Sequence, residues 1–486
     1  MKTSLVWFRK DLRIHDNKAL HAACEDPSAR VLTVFIATPK QWYKHNMSQR
    51  QAAFIFDHLE KLAQELSGRG IALYYHQCAN FAEQIDWLLT FCQREKVNQL
   101  FYNYEYELNE RKRDQELERR ISNQILCQGF DDSVLLPPGN VLTKNQEMFQ
   151  VYTSFRNVFL HKLQESKLVC LPAPAARQGH GVPSSSIIVP FTYPRMRPEN
   201  SYLVGERAGM SQLRTFCHHN IQYYLRNRDI PALNATSRLS AWLAIGVLSP
   251  RQCYQQLRER YPLVLTQNHS PAFIWLNQLI WRDFYRHMIV AYPKLCKHEP
   301  FISWTKHITW QNNDLLFRAW CEGRTGYPII DAAMRKLAVS GWINNRLRMI
   351  TASFLVKDLL IDWRQGERYF MSQLIDGDLA SNNGGWQWVA STGFDAAPYF
   401  RIFNPTIQGK QFDQNGTFIR RWLPELKVVP DKYLHQPYRW LKVQNIRLNY
   451  PQPIVDHSNA YKQTLTVYKA AAKIAKAKGT RQLEVE

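Results

Sequence analysis

The sequence predicts two domains: an α/β domain with a doubly wound, Rossmann-like parallel sheet, and a helical domain after it. With 486 residues, 45% of them hydrophobic, the chain is longer than one core usually organises. Short runs of β-branched and aromatic residues alternate with helical patterns at the start of the chain, which is typical of a parallel sheet covered by helices. Beyond residue 205 the patterns are helical almost throughout.

The first domain is predicted to span residues 1–131. Its strands are expected at 5–8, 31–37, 72–76 and 100–104, and its helices at 17–24, 48–66, 80–96 and 107–126. The turn after the first strand reads WFRKDLRIHDN and contains no G-x-G-x-x-G. The usual dinucleotide fingerprint is therefore missing from this domain.

Three further segments complete the predicted organisation. Residues 132–204 are rich in proline and include a run of three serines at 184–186, so they are expected to form a connector over the surface. Residues 205–470 are predicted to form the helical domain, with clear helices at 271–290 and 331–361. Residues 471–486 are predicted to be a basic tail, for which we favour a solvated role over phosphate binding.

The formal net charge of +21 indicates a polyanionic partner. Nucleic acid is the leading candidate, although an inert basic surface would give the same composition, and no strongly amphipathic basic helix favours a membrane surface. Nine cysteines without a C-x-x-C pair fit neither a disulfide framework nor a zinc site, so no metal is predicted. With no signal-length apolar start and no apolar run of membrane-spanning length, we expect a soluble, cytoplasmic protein.

Residues 376–388 form the most distinctive stretch of the chain, with two carboxylates, two asparagines, a glycine pair and two tryptophans. Gly384 and Gly385 predict that no settled helix forms here and that the backbone can approach a partner closely. Trp386 and Trp388 offer flat apolar faces beside polar groups, which suits a planar heterocycle. The alternative is a loop whose tryptophans plug the core.

Two helical stretches place polar and apolar side chains on one face, because residues three and four apart are neighbours on a helix. The first face carries Trp275, Gln278 and Arg282, with Trp281 beside them, and the second carries Asn345, Arg348 and Met349. Asp376 is a candidate partner for Arg348, since a buried guanidinium needs a carboxylate to offset its desolvation.

Three polar segments suit phosphate groups. Residues 235–240 precede an apolar helix, where free amides attract anions, although an ordinary helix cap explains the same residues. Residues 391–401 and 404–410 interleave hydroxyl, amide, aromatic and basic side chains, which suits a sugar-phosphate backbone or a well-packed pair of surface loops.

Motifs that run nearly end to end carry a resemblance to a known family. They are VWFRKDLRIHDN, HNMSQRQ, FYNYEYELNER, TSRLSAWLAIGVLSPRQC, WLNQLIWRDFYRH, RTGYPIIDAAMRKL and DGDLASNNGGWQWVASTGFDAAPYFRIFNP. The sequence resembles the class I cyclobutane pyrimidine dimer (CPD) DNA photolyases of the photolyase and cryptochrome family. The resemblance implies a monomeric, light-dependent carbon–carbon lyase that acts on UV-damaged DNA, cytoplasmic and associated with the nucleoid when bound to DNA.

The resemblance also implies that FAD binds in a bent conformation inside the helical domain. The positions that match the family's flavin site are Tyr224, Thr236, Ser237, Arg238, Leu239, Ser240, Trp275, Arg282, Asn345, Arg348, Asp376, Gly377, Asp378 and Asn382. In the family, blue light excites reduced FADH⁻, which lends an electron to a flipped-out dimer and recovers it once the ring has split. Asn382 matches the residue that faces flavin N5, where plant cryptochromes carry Asp, so this amide indicates repair.

Further roles are implied by matching positions. Trp386, Trp363 and Trp310 match the tryptophans that pass electrons from the surface to the flavin. The matches to DNA contacts are Arg228, Gln278, Trp281, Arg282, Asn345, Arg346, Met349, Trp388, Arg401 and Gln408. Among these, the two tryptophans match the walls of the dimer pocket, and stacking with phosphate neutralisation suits a lesion binder without sequence preference.

An antenna chromophore is also implied. The positions that match the folate-binding branch are His45, Asn109, Glu110, Cys296 and Lys297. A glutamate beside an amide suits the amidine edge of a pterin, which favours 5,10-methenyltetrahydrofolate over an 8-hydroxy-deazaflavin.

Gln278 departs from the pattern, because this branch usually has Glu there. Gln keeps the hydrogen-bonding capacity but loses the carboxyl proton, so either CPD repair is less efficient or the pocket prefers another lesion. Photolyases for the (6-4) photoproduct carry Gln at this position, but they also need a catalytic His, and the matching positions here are Asn345 and Met349. CPD repair is therefore the prediction.

Three rival functions are weaker. A cryptochrome-type blue-light receptor commonly has a long C-terminal extension, and this chain stops soon after the helical domain. A non-photochemical flavoenzyme would need an acid–base pair or a nucleophile beside the flavin, and none is apparent from the sequence. A plain DNA-binding module leaves the group of Arg348, Asp376 and Asn382 unexplained.

Overall fold

The computed structural model describes residues 2–121, 123, 125–177, 190–197, 202–311 and 313–477. Contacts divide the chain into two compact units that interleave along the sequence. The first comprises Met1–Gln222, Ser237–Pro293 and Ile375–Ala380, and the second comprises Tyr223–Thr236, Lys294–Leu374 and Ser381–Glu486. The domain boundaries expected from the sequence stay predictions, and the serine run at 184–186 and the chain beyond 477 lie outside the described residues.

Five parallel strands form the sheet of the first unit. They are β1 (Thr3–Phe8), β2 (Arg30–Ala37), β3 (Ala72–Gln77), β4 (Gln99–Asn103) and β5 (Leu126–Phe130), in the spatial order β3-β2-β1-β4-β5. Leu5 of β1 lies opposite Leu32 of β2 and Leu100 of β4, so one apolar layer crosses the middle of the sheet. The order reverses between β1 and β4, and the carboxyl ends of these strands flank the crevice where such sheets hold ligands.

Eleven helices alternate with the strands along the chain or come after the last strand. They are α1 (Lys18–Cys24), α2 (Pro39–Lys44), α3 (Gln49–Ser67), α4 (Phe81–Arg94), α5 (Leu108–Arg120), α6 (Tyr152–Glu165), α7 (Glu206–Thr215), α8 (Tyr224–Asn227), α9 (Ser240–Ala244), α10 (Pro250–Arg260) and α11 (Pro271–Ala291). Apart from α8, they belong to the first unit. Leu88 of α4 and Leu117 of α5 join Leu5 and Trp7 of β1 in one core.

A buried ion-pair network explains why α10 belongs to the same unit as the sheet. The Arg251 guanidinium lies 2.7 Å from Asp132 and 3.0 Å from Asp16, and Arg13 also pairs with Asp132. These side chains are at most 3% exposed, and removing one partner from such a network typically costs about 3–5 kcal/mol.

The second unit is helical. Its helices are α8, α12 (Asp314–Cys321), α13 (Pro328–Ser340), α14 (Asn345–Ser353), α15 (Trp363–Gln373), most of α16 (Leu379–Ala390), α17 (Pro405–Phe412), α18 (Thr417–Trp422), α19 (Pro437–Gln444) and α20 (His457–Ala477). Helix α13 packs against α14, α17 and α18, and their apolar faces enclose a core that includes Trp320, Trp363 and Trp386. The α/β and all-α elements expected from the sequence are thus confirmed.

Two elements of the first unit differ from the expectation. The helix predicted at 107–126 ends at Arg120, and β5 follows as a fifth strand that the sequence did not reveal, because LCQGF has neither strong alternation nor β-branched residues. Helix α6 lies inside the predicted connector, where Tyr152, Phe155, Phe159 and Leu163 form its buried stripe.

Two elements of the helical region also differ. The helix predicted at 331–361 is broken after α13 by Gly341, which caps it in the left-handed conformation at φ 67°. The stretch at 376–388 was predicted to avoid a helix, but α16 runs through Gly384 and Gly385. A glycine costs only about 1 kcal/mol in a helix, and the buried side chains of Trp386 and Val389 anchor α16.

Helix α20 continues through position 471, where the sequence suggested the start of a solvated tail. Ala471 and Ala475 extend the buried face formed by Ala460, Thr464 and Tyr468. The alanine-rich composition hid this packing, because small residues give a weak apolar stripe.

Candidate functional site

Asn382 on α16 is held by α15. Its amide nitrogen donates to the Glu367 carbonyl oxygen at 3.0 Å, which leaves its amide oxygen as the outward acceptor. The Glu367 carboxylate is fully buried and accepts from Asn383 at 2.9 Å and from the His298 ring at 2.7 Å. Glu367 was not predicted from the sequence, yet it fixes the orientation of the Asn382 amide.

Open space lies over α16 one turn from Asn382. A Cβ added at Gly385 would meet no atom within 4 Å, although the glycine sits in a helix whose flanking residues are buried. Residues three apart share a helix face, so the space and the Asn382 amide lie on the same side of α16. A flat ring can approach the helix backbone there, with a hydrogen-bond acceptor at its edge.

The three predicted electron-transfer tryptophans lie in the second unit. Trp386 and Trp363 are 2% and 1% exposed in its main core, and Trp310 is half-buried at the edge of that core. Gly366 of α15 admits the Trp386 ring, because a Cβ there would lie 2.2 Å from it. The Trp310 ring also meets Tyr468 edge-on, with centroids 6.3 Å apart.

Asn345 and Met349 meet on α14, as their spacing predicted. The Asn345 amide nitrogen lies 3.5 Å from the Met349 sulfur, and Asn345 is exposed. The Arg346 guanidinium pairs with Asp229 at 2.8 Å and lies over the Phe412 ring. One turn of α14 therefore presents an amide and a thioether to solvent, with a fixed cation beside them.

The other predicted site residues of the second unit each have their own surroundings. Tyr224 is buried with the Arg228 guanidinium 5.7 Å from its ring centroid, and Arg348 donates to the Ile343 carbonyl at 3.0 Å. Trp388 packs against the main core, Arg401 is exposed, and Thr236, Cys296 and Lys297 also belong to this unit. The buried Gln408 amide oxygen has no hydrogen-bond partner in the part of the chain that the structure describes.

In the first unit, α11 carries the predicted face. Trp275 is buried and Gln278 is half-buried, with the Gln278 amide nitrogen donating to the Ile274 carbonyl at 3.3 Å. The Trp281 ring stacks on Tyr152 of α6, with centroids 3.5 Å apart and planes at 10°. Tyr152 was not predicted, because a partner that stacks across two helices leaves no local sequence signal.

Arg282 is a half-buried cation, its side chain 12% exposed, whose charge Asp283 and Asp378 compensate only in part. It donates to the Ser133 and Leu243 carbonyls, and Asp283 is 3.9 Å away. Burial lowers the pKa of Arg282 to about 10, and the neighbouring Arg286 adds to the fall. An anionic ligand would relieve both effects.

The turn at Asp376–Asp378 is tied down from two sides. Gln51 donates to the Gly377 carbonyl at 2.8 Å, and Arg286 pairs with Asp378 at 2.6 Å. Neither Gln51 nor Arg286 was predicted as a site residue. Asp376 itself is 7% exposed.

The predicted phosphate segment is a turn with a positive φ that leads into the short helix α9. Arg238 has φ 55°, Leu239 is buried, and α9 begins at Ser240. Gln212 donates to the Ser237 carbonyl at 3.1 Å, and the Arg238 guanidinium lies over the Tyr202 ring. The positive φ turns successive backbone amides in directions that a regular helix does not offer.

Three of the five predicted antenna residues meet in the first unit. His45 Nε2 lies 3.0 Å from the Asn109 amide nitrogen and 2.8 Å from that of Gln41, so Nε2 is the acceptor and Nδ1 carries the proton. His45 Nδ1 lies 3.5 Å from one Glu110 carboxyl oxygen, and the other oxygen is buried without a hydrogen-bond partner among the described residues. Burial raises the pKa of Glu110 to about 8, and Glu107 adds to the rise.

Comparison with known proteins places the chain in a family. Residues 4–176 match a family model described as DNA photolyase, and residues 275–470 match one described as the FAD binding domain of DNA photolyase. The chain is 55% identical to the deoxyribodipyrimidine photo-lyase of Escherichia coli K12, over 97% of this chain and 100% of that protein. It belongs to the DNA photolyase family. The family shows this chain to be FAD-binding and to act on damaged DNA, as its photolyase relatives do.

Other photolyases and a cryptochrome share the fold. The deoxyribodipyrimidine photo-lyase of Vibrio cholerae is 45% identical over 96% of this chain and 99% of that protein. A class III photolyase structure from Agrobacterium tumefaciens superposes with a TM-score of 0.84 at 32% identity, covering 97% of this chain and 98% of that one. The structure of a Synechocystis cryptochrome superposes with a TM-score of 0.82 at 30% identity, covering 96% of this chain and 99% of that one.

The described ranges contain neither a metal site nor a membrane-spanning helix. No group of three or more His, Cys, Asp and Glu side chains there is arranged to hold a metal ion. Every helix there is too short or too polar to span a bilayer.

Proposed function

We propose that this chain is a light-dependent repair enzyme, a deoxyribodipyrimidine photo-lyase that splits cyclobutane pyrimidine dimers flipped out of DNA. The carrying observation is the Asn382 amide, which Glu367 orients so that its oxygen is free to accept a hydrogen bond. Bound reduced FAD supplies the electron that splits the dimer under blue light. The oxygen of Asn382 suits the N5–H of that reduced ring and brings no acidic proton to it.

Three features of the chain support flavin as the ligand. The space over Gly385 admits a flat ring beside Asn382. In the other unit, the weakly compensated Arg282 suits a pyrophosphate, and the positive φ of Arg238 suits backbone contacts to phosphate. The fourteen flavin positions matched from the sequence are therefore proposed as the FAD ligands.

The tryptophans are proposed to carry electrons to the flavin from solvent. Trp386 and Trp363 are held in one apolar core, and Trp310 gives that core a half-exposed end. A buried aromatic ring cannot exchange charge with water directly, so a path needs one member at the surface. The packing of Gly366 against Trp386 fixes the inner member of the series.

The ten matched DNA positions are proposed to hold the damaged strand of UV-damaged DNA, with the protein acting as a monomer. Tyr152 covers one face of the Trp281 ring, so a flipped base can stack only on the uncovered part of that ring. Asn345 and Met349 offer a polar and an apolar contact side by side. Arg401 is exposed and free to neutralise phosphate.

Methenyltetrahydrofolate is the proposed antenna. The unpartnered Glu110 oxygen and the adjacent amide of Asn109 present an acceptor and a donor to the amidine edge of a pterin. Donor groups of a ligand would also offset the cost of ionising Glu110.

A deazaflavin in the crevice between β1 and β4 is less favoured. Arg9 after β1 pairs with Asp114, and Lys10 pairs with Glu107 at 2.9 Å, so charged side chains fill the space. The cavity that remains there is about 30 Å³, room for one or two water molecules.

Gln278 keeps (6-4) repair as a second candidate. Its amide nitrogen donates one of its two hydrogens to the helix backbone, so the second hydrogen and the amide oxygen are left for a substrate. A neutral amide is a weaker donor to a thymine carbonyl than a carboxylic acid, so CPD repair should be less efficient than with Glu at this position.

Oligonucleotides that each carry one lesion test the proposal. The protein loaded with reduced FAD should restore the CPD substrate under blue light, leave it unchanged in the dark, and leave the (6-4) substrate unchanged in both conditions. Restoration of the (6-4) substrate alone would overturn the lesion assignment. Absence of any light-dependent repair would overturn the function.

A further inference from the structure

Helix α20 is fixed by one face and leaves the opposite face in solvent. Its buried residues are Ala460, Thr464, Tyr468, Ala471 and Ala475. The Tyr468 hydroxyl donates to the Ala390 carbonyl at 2.7 Å, and Thr464 bonds to the Lys357 carbonyl. The exposed face therefore has a defined orientation on the second unit.

That exposed face carries four lysines in line, Lys462, Lys469, Lys473 and Lys476, which we name the lysine stripe. At 100° per residue they lie within roughly 60° of one another around the helix axis. The stripe is about 21 Å long at 1.5 Å per residue. An exposed helix face spans a much wider arc than this, so burial of the other face does not by itself align the lysines.

The charge of the stripe is not neutralised within the described residues. Residues 457–477 contain no Asp or Glu, and none of the four lysines forms an ion pair there. Carboxylates close to α20 are already paired, Asp358 with His457 and Asp362, whose charge acts on Tyr468, with Arg364. The helix dipole favours lysines in the last turn, which accounts for Lys476 but not for Lys462 or Lys469.

We propose that the lysine stripe binds the sugar-phosphate backbone of duplex DNA away from the lesion. A rigid line of unpaired cations complements a polyanion, and its length matches about six base pairs at 3.4 Å each. An anionic membrane is a poorer partner, because the exposed face lacks the broad apolar surface that would enter a bilayer. The inference rests on DNA being the substrate of the proposed function.

The stripe acts on affinity and not on the reaction. Each phosphate contact contributes about 0.9 to the negative slope of log K against log salt for duplex DNA. Such contacts are indifferent to sequence and to damage, so they hold DNA flanking the lesion and raise the encounter rate at low salt. Binding of undamaged duplex therefore reports on phosphate contacts, including those of the stripe, without a contribution from lesion recognition.

Neutralising the stripe tests the proposal. Lys462→Gln, Lys469→Gln, Lys473→Gln and Lys476→Gln are combined in the full chain, and binding to an undamaged duplex is measured by fluorescence anisotropy from low to high salt. We expect the magnitude of the slope of log K against log salt to decrease by about 1.8–3.6, for two to four lost phosphate contacts. The affinity at 50 mM salt should fall at least roughly tenfold. Light-dependent repair at saturating DNA should be unchanged.

Two control variants isolate the cause. The first control removes the same charge from four exposed lysines of the first unit, by combining Lys96→Gln, Lys112→Gln, Lys144→Gln and Lys167→Gln. This variant should change the slope by less than about 1. Arg at the four stripe positions should keep the wild-type slope. Thermal melting checks that every variant folds.

The outcomes separate the stripe from the function. A stripe variant with the slope of wild type overturns the inference, as does a loss of binding to phosphatidylglycerol vesicles without a loss of DNA binding. Failure of the proposed function would show instead as wild-type protein that binds DNA in the dark and repairs nothing in the light.

Discussion

Asn382 owes its orientation to a residue on another helix. The Glu367 carbonyl takes the amide nitrogen of Asn382, and the Glu367 carboxylate is itself held by Asn383 and His298. Rotation of the Asn382 amide would place oxygen against oxygen, so the acceptor is preorganised. A single side chain thus has its chemistry set by three neighbours.

Asn382→Asp should change the flavin potential. A carboxylate cannot donate to the Glu367 carbonyl, and its charge disfavours an anionic reduced flavin, so the midpoint potential should fall by about 60 mV or more for a one-electron couple. Repair should fall at least roughly tenfold while FAD remains bound. Spectroelectrochemical titration measures the shift, and Asn382→Ala separates loss of the donor from added charge. An unchanged potential in the Asp variant would contradict this role.

Gln278→Glu should improve CPD repair. A protonated carboxyl group is a stronger donor to a thymine carbonyl than the remaining N–H of the Gln278 amide, whose other hydrogen bonds to the Ile274 carbonyl. A gain of about 1 kcal/mol would raise the repair yield roughly fivefold. The yield of CPD repair per absorbed photon measures it, with Gln278→Ala as the variant that lacks both groups. A lower yield in the Glu variant would show that the amide is adapted to this pocket.

Sequence reasoning reached these residues unevenly. Asn382 and Gln278 stand in long motifs, so the family resemblance supplied them, and the mixed composition of the stretch around Asn382 drew attention without it. Glu367 and Tyr152 act through contacts between different helices, and no spacing rule predicts such a pair. Their roles needed coordinates.

At the element scale, α15 and α16 pack through a glycine and an indole ring. The Trp386 ring occupies the place where a Gly366 side chain would be, while Gly385 on α16 faces open space. The two glycines therefore have opposite surroundings. One serves the core, and the other is proposed to serve the flavin.

Alanine at these two glycines should have opposite effects. Gly366→Ala should destabilise the flavin-free protein by about 1–3 kcal/mol through overpacking, and slow photoreduction by moving Trp386. Gly385→Ala should stabilise the flavin-free protein by about 0.5–1 kcal/mol, because alanine favours a helix, and should weaken FAD binding. Urea unfolding and FAD titration measure both. Equal effects on stability would refute the proposed packing.

The first turn of α5 carries the antenna prediction. The folded pKa of Glu110 is raised to about 8 by burial, above its unfolded value, so the stabilisation from its proton is complete below about pH 4.5 and is lost as pH rises through 8. Glu110→Gln should therefore raise the Tm at pH 9 by at least about 2–4 °C, the shift expected for about 1 kcal/mol, and change it little at pH 5. Binding of methenyltetrahydrofolate should weaken roughly tenfold or more.

Glu116→Gln, an exposed substitution on the same helix, is the control for Glu110. It should leave the Tm profile and folate binding close to wild type. In the wild-type protein, folate affinity should rise with pH and level off above about 8, since the carboxylate is the form that accepts from a pterin. Affinity that falls over this range would contradict the role of Glu110.

Helices and strands with a strong apolar pattern could be predicted from the sequence, and those with a weak pattern could not. The four predicted strands and α11 match the sequence closely, because their runs are rich in apolar and aromatic residues. Strand β5 contains a glycine and no β-branched residue, and α6 lies among prolines that obscured its stripe. Helix α16 forms in spite of its glycines, because tertiary packing outweighs local propensity.

At the scale of the whole molecule, charge and connectivity matter more than any one contact. The net charge of +21 suits DNA, and the lysine stripe concentrates part of it on one helix. The chain passes repeatedly from one compact unit to the other. Composition revealed the charge, but the interleaving depends on contacts such as those of Arg251 that no linear pattern encodes.

Repeated turnover tests directly whether the flavin lends an electron to the dimer and recovers it. Protein with reduced FAD is given an excess of CPD-containing oligonucleotide under blue light without oxygen, and the ultraviolet absorbance of the thymines and the flavin spectrum are recorded together. We expect many dimers to be split per flavin, with the reduced spectrum unchanged at the end and no change in the dark. Stoichiometric oxidation of the flavin, or thymine recovery that proceeds equally in darkness, would contradict it.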